Sequence, residues 1–138
     1  MFVINGNNHI LGRLGSQIAK NLLNGEEVHI INAEGIVLTG SPETVIEKYK
    51  QRRRIKHKGR PEKSPSWPKV PQLLVRRIIR GMLPWKTLRG RESFKRLKVY
   101  MGNPKNLESQ KPLENAQFKG NSRFITIGEL CRNLGAKN

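Results

Sequence analysis

Apolar positions recur along this chain at recognisable spacings. In HILGRLGSQIAKNLLNG, Leu11, Leu14, Ile18 and Leu22 stand three, four and four residues apart, which is one face of an amphipathic helix that Gly25 closes. Before it, FVIN (2–5) has the form of a short strand. After it, EVHIIN (27–32) is an apolar, β-branched strand, buried on both faces if its neighbours are parallel. GIVLTG (35–40) is a further extended piece, and Ser41-Pro42 supplies an N-cap followed by proline at the first helical position. Glu43 beside it favours the helix dipole. The order strand, helix, strand, helix predicts an α/β layered fold with parallel strands.

The second helix carries Val45, Ile46 and Tyr49 on its apolar face, and the next residues there are Arg52 and Arg53. Guanidinium groups are not buried beside hydrocarbon without partners, so the helix either ends near Tyr49 or leaves the protein body there. The following IKHKGRPEKSPSWPKVP has prolines at 61, 65, 68 and 71, which precludes helix and central strand and predicts a structureless loop that a partner orders. PQLLVRRIIRGMLP then divides cleanly at 100° per residue. Leu74, Val75, Ile78, Ile79 and Met82 cover one side, Arg76, Arg77 and Arg80 the other, and Gly81 and Pro84 end the helix. GRESFKRLKVYMG (90–102) reads as a short helix with Phe94 and Leu97 inward, leading into a strand. The remainder alternates weakly and ends in a helix, TIGELCRNLG.

Charge changes this picture most. Of the net +17, all sits between Lys48 and Lys98, where 19 basic residues meet two acids, Glu62 and Glu92; the other 87 residues hold eight of each sign. A single-sign block repels itself unless a polyanion neutralises it. The rest of the composition is that of one globular domain of 138 residues, 36% hydrophobic and 27% charged. No run of about 18 apolar residues would cross a membrane. The start lacks a charged segment followed by an apolar one, so no secretory signal is expected. A lone Cys131 reads as a buried, reduced thiol, and the expected compartment is the cytoplasm.

Catalytic chemistry finds little support. Gly12 and Gly15 lack the three-glycine dinucleotide spacing. Gly35 and Gly40 match a P-loop spacing, but Ser41 and Pro42 stand where lysine and a hydroxyl are required, so these glycines read as packing and turn residues. The chain has no aspartate, and its glutamates are not paired for acid–base work; Glu34 alone occupies a loop position typical of α/β active sites. His9, His29 and His57 have no metal-ligand spacing. Lys and Arg, by contrast, hold phosphates, and Trp67 and Trp85 both fall inside the basic block, where each either stacks on an unpaired base or packs locally against proline.

The segments SPETVIEKYKQRR, VRRIIRGMLPWKTLRGRESFKRLKVYMG and HILGRLGSQIAK, followed by VHIINAEGIVLTGSP, together resemble the L13 family of large-subunit ribosomal proteins, from Met1 to about Gly135. The basic, Pro-containing insertion and the short C-terminal part look archaeal. Asn5-Gly6 stands where the family commonly has Asp-Ala, and Gly15 where alanine is usual. The resemblance implies a three-layer α/β/α fold around a small, mainly parallel four-stranded sheet. It implies one domain over 1–138 with a basic insertion at about 50–71. It implies a structural, non-catalytic role without cofactor, metal, membrane or small-molecule substrate. The implied partners are large-subunit ribosomal RNA and neighbouring ribosomal proteins, in assembly and translation. The RNA-binding candidates are Lys50, Arg52, Arg53, Arg54, Lys56, His57, Lys58, Arg60, Trp67, Arg76, Arg77, Arg80, Trp85, Lys86, Arg89, Arg91, Lys95 and Arg96. The rivals are a nucleotide- or phosphate-binding α/β enzyme and an RNA-binding factor that never joins a ribosome.

Overall fold

A computed structural model describes residues 1–110 and 112–136. Three strands, β1 (Phe2–Asn5), β2 (Val28–Ile31) and β4 (Leu97–Val99), form a parallel sheet in the order β1-β2-β4. The central β2 is buried at all four positions, as a strand covered on both faces requires. The α/β class and the mainly parallel sheet are as expected, but the strand count divides differently. After β2, Asn32 takes a left-handed conformation (φ 54°) and a 3₁₀ turn follows at Ala33–Gly35. This turn redirects the chain, so β3 (Val37–Thr39) pairs antiparallel with β5 (Phe124–Thr126) instead of joining the parallel strands. A single parallel bridge, Ile10 to Val37, connects this ribbon to the loop before α1.

The helix α1 (Leu11–Leu23) buries Leu11, Leu14, Ile18 and Leu22 and ends where Gly25 (φ +94°) donates its N–H to the Leu22 carbonyl. It packs against α3 (Pro71–Arg80), α4 (Leu88–Lys95) and the sheet, while α2 (Pro42–Arg54) packs against α5 (Ile127–Asn133) and β5. Proline opens both α2 and α3, where a missing N–H costs nothing. Ser41 begins α2 with its carbonyl accepting from Val45, but its hydroxyl makes no cap bond.

The register of α3 holds through Ile79 and then shifts. Leu74, Val75 and Ile79 are fully buried and Ile78 is half-buried, whereas Met82, expected inside, is 37% exposed. The reason is the tightened end of the helix. Gly81, Met82 and Leu83 donate to the carbonyls three residues back, so the chain advances by about 120° per residue and Leu83 takes the inward place. Met82 instead lies over α1, where a Cβ on Gly15 would stand 2.8 Å from its sulfur. An alanine at position 15 therefore requires this methionine to move.

Both P-loop-spaced glycines have local explanations. A Cβ on Gly35 would collide with the Asn7 side chain, and Gly40 sits at φ +121° in the turn between β3 and α2. The Glu34 carboxylate accepts the Gly102 N–H through both oxygens, at 3.2 and 3.1 Å, which fastens the chain after β4. His9 is buried; its Nδ1 lies 3.0 Å from the Asn7 carbonyl, and its Nε2 accepts from the Leu113 N–H at 3.3 Å. His29 pairs with Glu27 at 2.9 Å and stacks on Tyr100. Burial pushes the Cys131 thiol up to about 11, so it stays protonated and inert at neutral pH. The segment before β5 runs beside β1: Gln110 donates to the Val3 carbonyl at 3.0 Å and Phe118 to that of Asn8 at 2.7 Å.

Candidate nucleic-acid interface

The basic block becomes a surface because α2 outruns the core. Tyr49 is its one buried residue, and the helix does not end there but continues to Arg54, with Arg53 and Arg54 exposed at the edge of the protein body. Arg52 lies over two rings, 5.1 Å from the Tyr49 centroid and 4.8 Å from that of Trp67. Arg53 donates to the Trp67 carbonyl at 2.6 Å. Trp67 meets Tyr49 edge-on at 6.0 Å and packs against the core, and Arg77 of α3 lies 4.7 Å from its centroid.

The pattern repeats along α3. Arg76 covers Phe94 at 4.8 Å, Arg80 covers Trp85 at 4.9 Å, and Trp85 meets Phe94 edge-on at 5.3 Å. Guanidinium planes and aromatic rings thus alternate from α2 across to α4, each contact at the separation where a ring's quadrupole attracts a cation. Both tryptophans pack locally, one half-buried and the other 40% exposed at the outer end of the row. The contributions of Phe94 and Tyr49 are not legible as ligand chemistry, since each reads as an inward residue. The i, i+3 and i+4 spacing of Arg76, Arg77 and Arg80 was the available signal.

Like charge accumulates here. Burial, then the neighbouring Arg80 and Arg52 cations, lower the pKa of Arg77 from its usual value. Tyr49 moves up, because burial outweighs the pull of Arg52. Among the described residues, Arg54 with Glu47 at 3.6 Å is the single Lys or Arg side chain within 4 Å of a carboxylate. Arg76 Nε is buried without a hydrogen-bond partner, beside a shallow hollow of about 280 Å³ formed by Arg76, Arg77, Arg80, Leu73, Pro68 and Phe94.

The Pro-rich loop is more compact than a structureless connection. Arg60 donates to the His57 carbonyl, Lys63 to Arg60 and Ser64 to Pro61, and the His57 N–H reaches Ser64 Oγ at 3.2 Å. These turn bonds need no buried core, which is why hydrophobic periodicity gave no sign of them. With Arg53, Ile55 and Trp67 they enclose an open hollow of about 520 Å³. Lys56, His57, Lys58 and Arg60 all lie on its exposed tip, while Trp67 anchors its far end. Trypsin is accordingly expected to cut the free protein first after Lys56 and Lys58, and bound RNA is expected to protect both bonds. Time-resolved digestion followed by mass spectrometry checks this. First cuts elsewhere, or equal rates with and without RNA, would contradict it.

The α4 arginines are arranged differently. Arg89 and Arg96 donate to the Leu23 and Leu22 carbonyls at 3.1 and 2.7 Å, placing two cations on the C-terminal end of α1. Arg96 also donates to the hydroxyl of the fully buried Ser93. Arg91 reaches the carbonyls of Trp85 and Lys86, both at 3.2 Å, and so fixes the turn that carries Trp85. In that turn Thr87 caps α4 by accepting from Gly90, whose absent Cβ leaves room for the Pro84 carbonyl. Lys50 is half-buried, and Lys86 and Lys95 are exposed. The candidates therefore fall into a stacked arginine row, a cationic loop tip, and a set of helix-end arginines that hold the row's supports.

Comparison with known proteins agrees with this architecture. The family model described as ribosomal protein L13 matches residues 1–106. The large ribosomal subunit protein uL13 of Methanocaldococcus jannaschii is 44% identical over 138 residues, spanning 99% of each chain. Those of Methanopyrus kandleri and Archaeoglobus fulgidus are 42% and 43% identical, each covering 96% of this chain and 86% of the relative. Because the matched segment runs from β1 through the parallel sheet and the arginine row, the chain belongs to the ribosomal protein L13 family.

Proposed function

We propose that the chain is a structural constituent of the large ribosomal subunit, binding large-subunit rRNA through the block 48–98, next to neighbouring ribosomal proteins in the cytoplasm. Residues 1–138 act as one domain, with the basic insertion at about 50–71 as its RNA-facing extension. The observation that carries the reading is the row in which Arg52, Arg77, Arg76 and Arg80 lie on Tyr49, Trp67, Phe94 and Trp85, with no carboxylate within 4 Å of them among the described residues. A polyanion relieves their mutual repulsion, and rings hold the guanidinium planes so that little side-chain freedom is lost on binding. Arg89, Arg91 and Arg96 serve the same surface by fixing α4 and its turn. The role is assembly and support of translation, not turnover of a substrate.

Sedimentation of a tagged chain from its source cells tests this. It is expected to pellet with the large subunit and to stay there through a high-salt wash. Recovery of the washed chain in the free-protein fraction, with intact subunits lacking it, would identify an RNA-binding factor outside the ribosome instead.

A further inference from the structure

Three cations outside the basic block converge on one place. Arg13 of α1, with Lys119 and Arg123 of the loop before β5, lines a hollow of about 420 Å³ that Gly40 and Phe118 complete. All three side chains are exposed, and among the described residues none lies within 4 Å of a carboxylate. Outside 48–98 the charges cancel in number, yet none of the eight acids there lines this hollow or the adjoining one that shares Asn121, Ser122 and Arg123. The acid nearest in that sequence context, Glu43 beside Pro42, is exposed and lines neither. The cancelling sum conceals a local excess of positive charge.

An aromatic pair stands beside these cations. The Phe118 and Phe124 rings are 4.7 Å apart and tilted by 54°, and Phe124 is 44% exposed. The loop that carries them is held in place: Gly40 donates to the Arg123 carbonyl at 2.8 Å, and Gly120 turns the chain at φ +77°. Pro42, the first residue of α2, lines the adjoining hollow, whereas the arginine row begins at the other end of that helix. At 1.5 Å per residue the two ends lie roughly 18 Å apart. The hollow is thus a separate surface, not an extension of the row.

We propose that this hollow is a second RNA-binding surface, in which Arg13, Lys119 and Arg123 hold backbone phosphates and an unpaired base covers the Phe118–Phe124 pair. The proposal rests on the RNA-binding reading above and adds a second strand segment at the opposite end of α2. An acidic protein segment would satisfy the cations alone. A nucleotide supplies the anion and the flat apolar face together, and each base has a π-face for an exposed ring.

Binding of the full-length chain to large-subunit rRNA from its own source, titrated over a range of salt concentrations, provides the test. The triple variant R13Q/K119Q/R123Q is expected to reduce the slope of log K against log salt by about 2, at about 0.7 per lost single-strand phosphate contact. Phe124→Leu keeps an apolar side chain at this edge position; it is expected to weaken binding about tenfold and leave the slope unchanged. Circular dichroism of each variant should match the parent. If the triple variant keeps the parental slope while a change in the α3 arginines lowers it, the hollow is a solvated face and only this proposal fails. If neither set changes the slope, this proposal fails together with the arginine row's part in the RNA-binding reading, and the loop tip is left as the RNA contact. In ultraviolet cross-linking of the intact subunit, adducts from 118–124 to nucleotides are expected; adducts to a protein alone would overturn the proposal.

Discussion

Replacing Arg76, Arg77 and Arg80 together by glutamine is expected to lower the log–log salt slope of rRNA binding by about 2, since each lost phosphate contact removes about 0.7 to 0.9. The three side chains are half-buried over Phe94, Trp67 and Trp85, so the change also removes cation–ring attraction. That loss is expected to cost about 0.5–1 kcal/mol per partly exposed contact in the free protein, more than at an ordinary surface site. The lysine triple separates the two effects. It keeps the charge, and therefore most of the slope, but gives up the planar fork and its stacking. Titration at several salt concentrations, paired with denaturant unfolding of each variant, measures both. A glutamine triple with the parental slope would mean that these arginines face solvent and that the loop tip alone meets RNA.

The other face of the same helix should fail in the opposite sense. Ile79→Ala removes a fully buried side chain from the core of Leu14, Ile18, Leu74 and Leu97, and is expected to destabilise the free protein by about 2–5 kcal/mol with the salt slope unchanged. Ile78→Ala, at a half-buried position one residue earlier, should cost about 1 kcal/mol, because fewer of its methylenes leave water on folding. Equal losses at the two positions would mean that α3 is rotated from the orientation described.

Much of this was legible in the chain itself, for reasons that differ by element. Strand β1, helix α1 and strand β2 could be read because a strong period over enough residues leaves one geometric solution, and the Pro42 and Pro71 helix starts followed from a proline's fixed φ. The pairing of β3 with β5 was not legible. It joins segments more than 80 residues apart, and β5 alternates too weakly to name a partner. A helical period extended past Arg80 puts Met82 inside, but the chain changes there to a tighter turn.

For the site, sequence could locate the charge but not divide it. An arginine that donates to a helix end and one that lies on an aromatic ring are the same letter. Only position relative to the α1 carbonyls separates Arg89 and Arg96 from Arg77 and Arg80. Outside the block, the convergence of Arg13, Lys119 and Arg123 on one hollow is not legible, because the surrounding charges cancel in the count and only the fold brings residue 13 beside 119–123.

The strand of chain beside β1 bears on what happens before any partner arrives. A free outer strand of a sheet offers unpaired N–H and C=O groups to any other extended chain, a recognised route to aggregation. Here the Val3 carbonyl already holds the Gln110 N–H, and the Asn8 and Ala116 carbonyls just beyond it hold those of Phe118 and Ile10. The protein thus ties the outer strand at Val3 to its own later sequence, which is synthesised only after all three parallel strands. A chain truncated before Gln110 would keep all three parallel strands yet leave that edge open, so premature termination should yield a product more prone to self-association than the full chain.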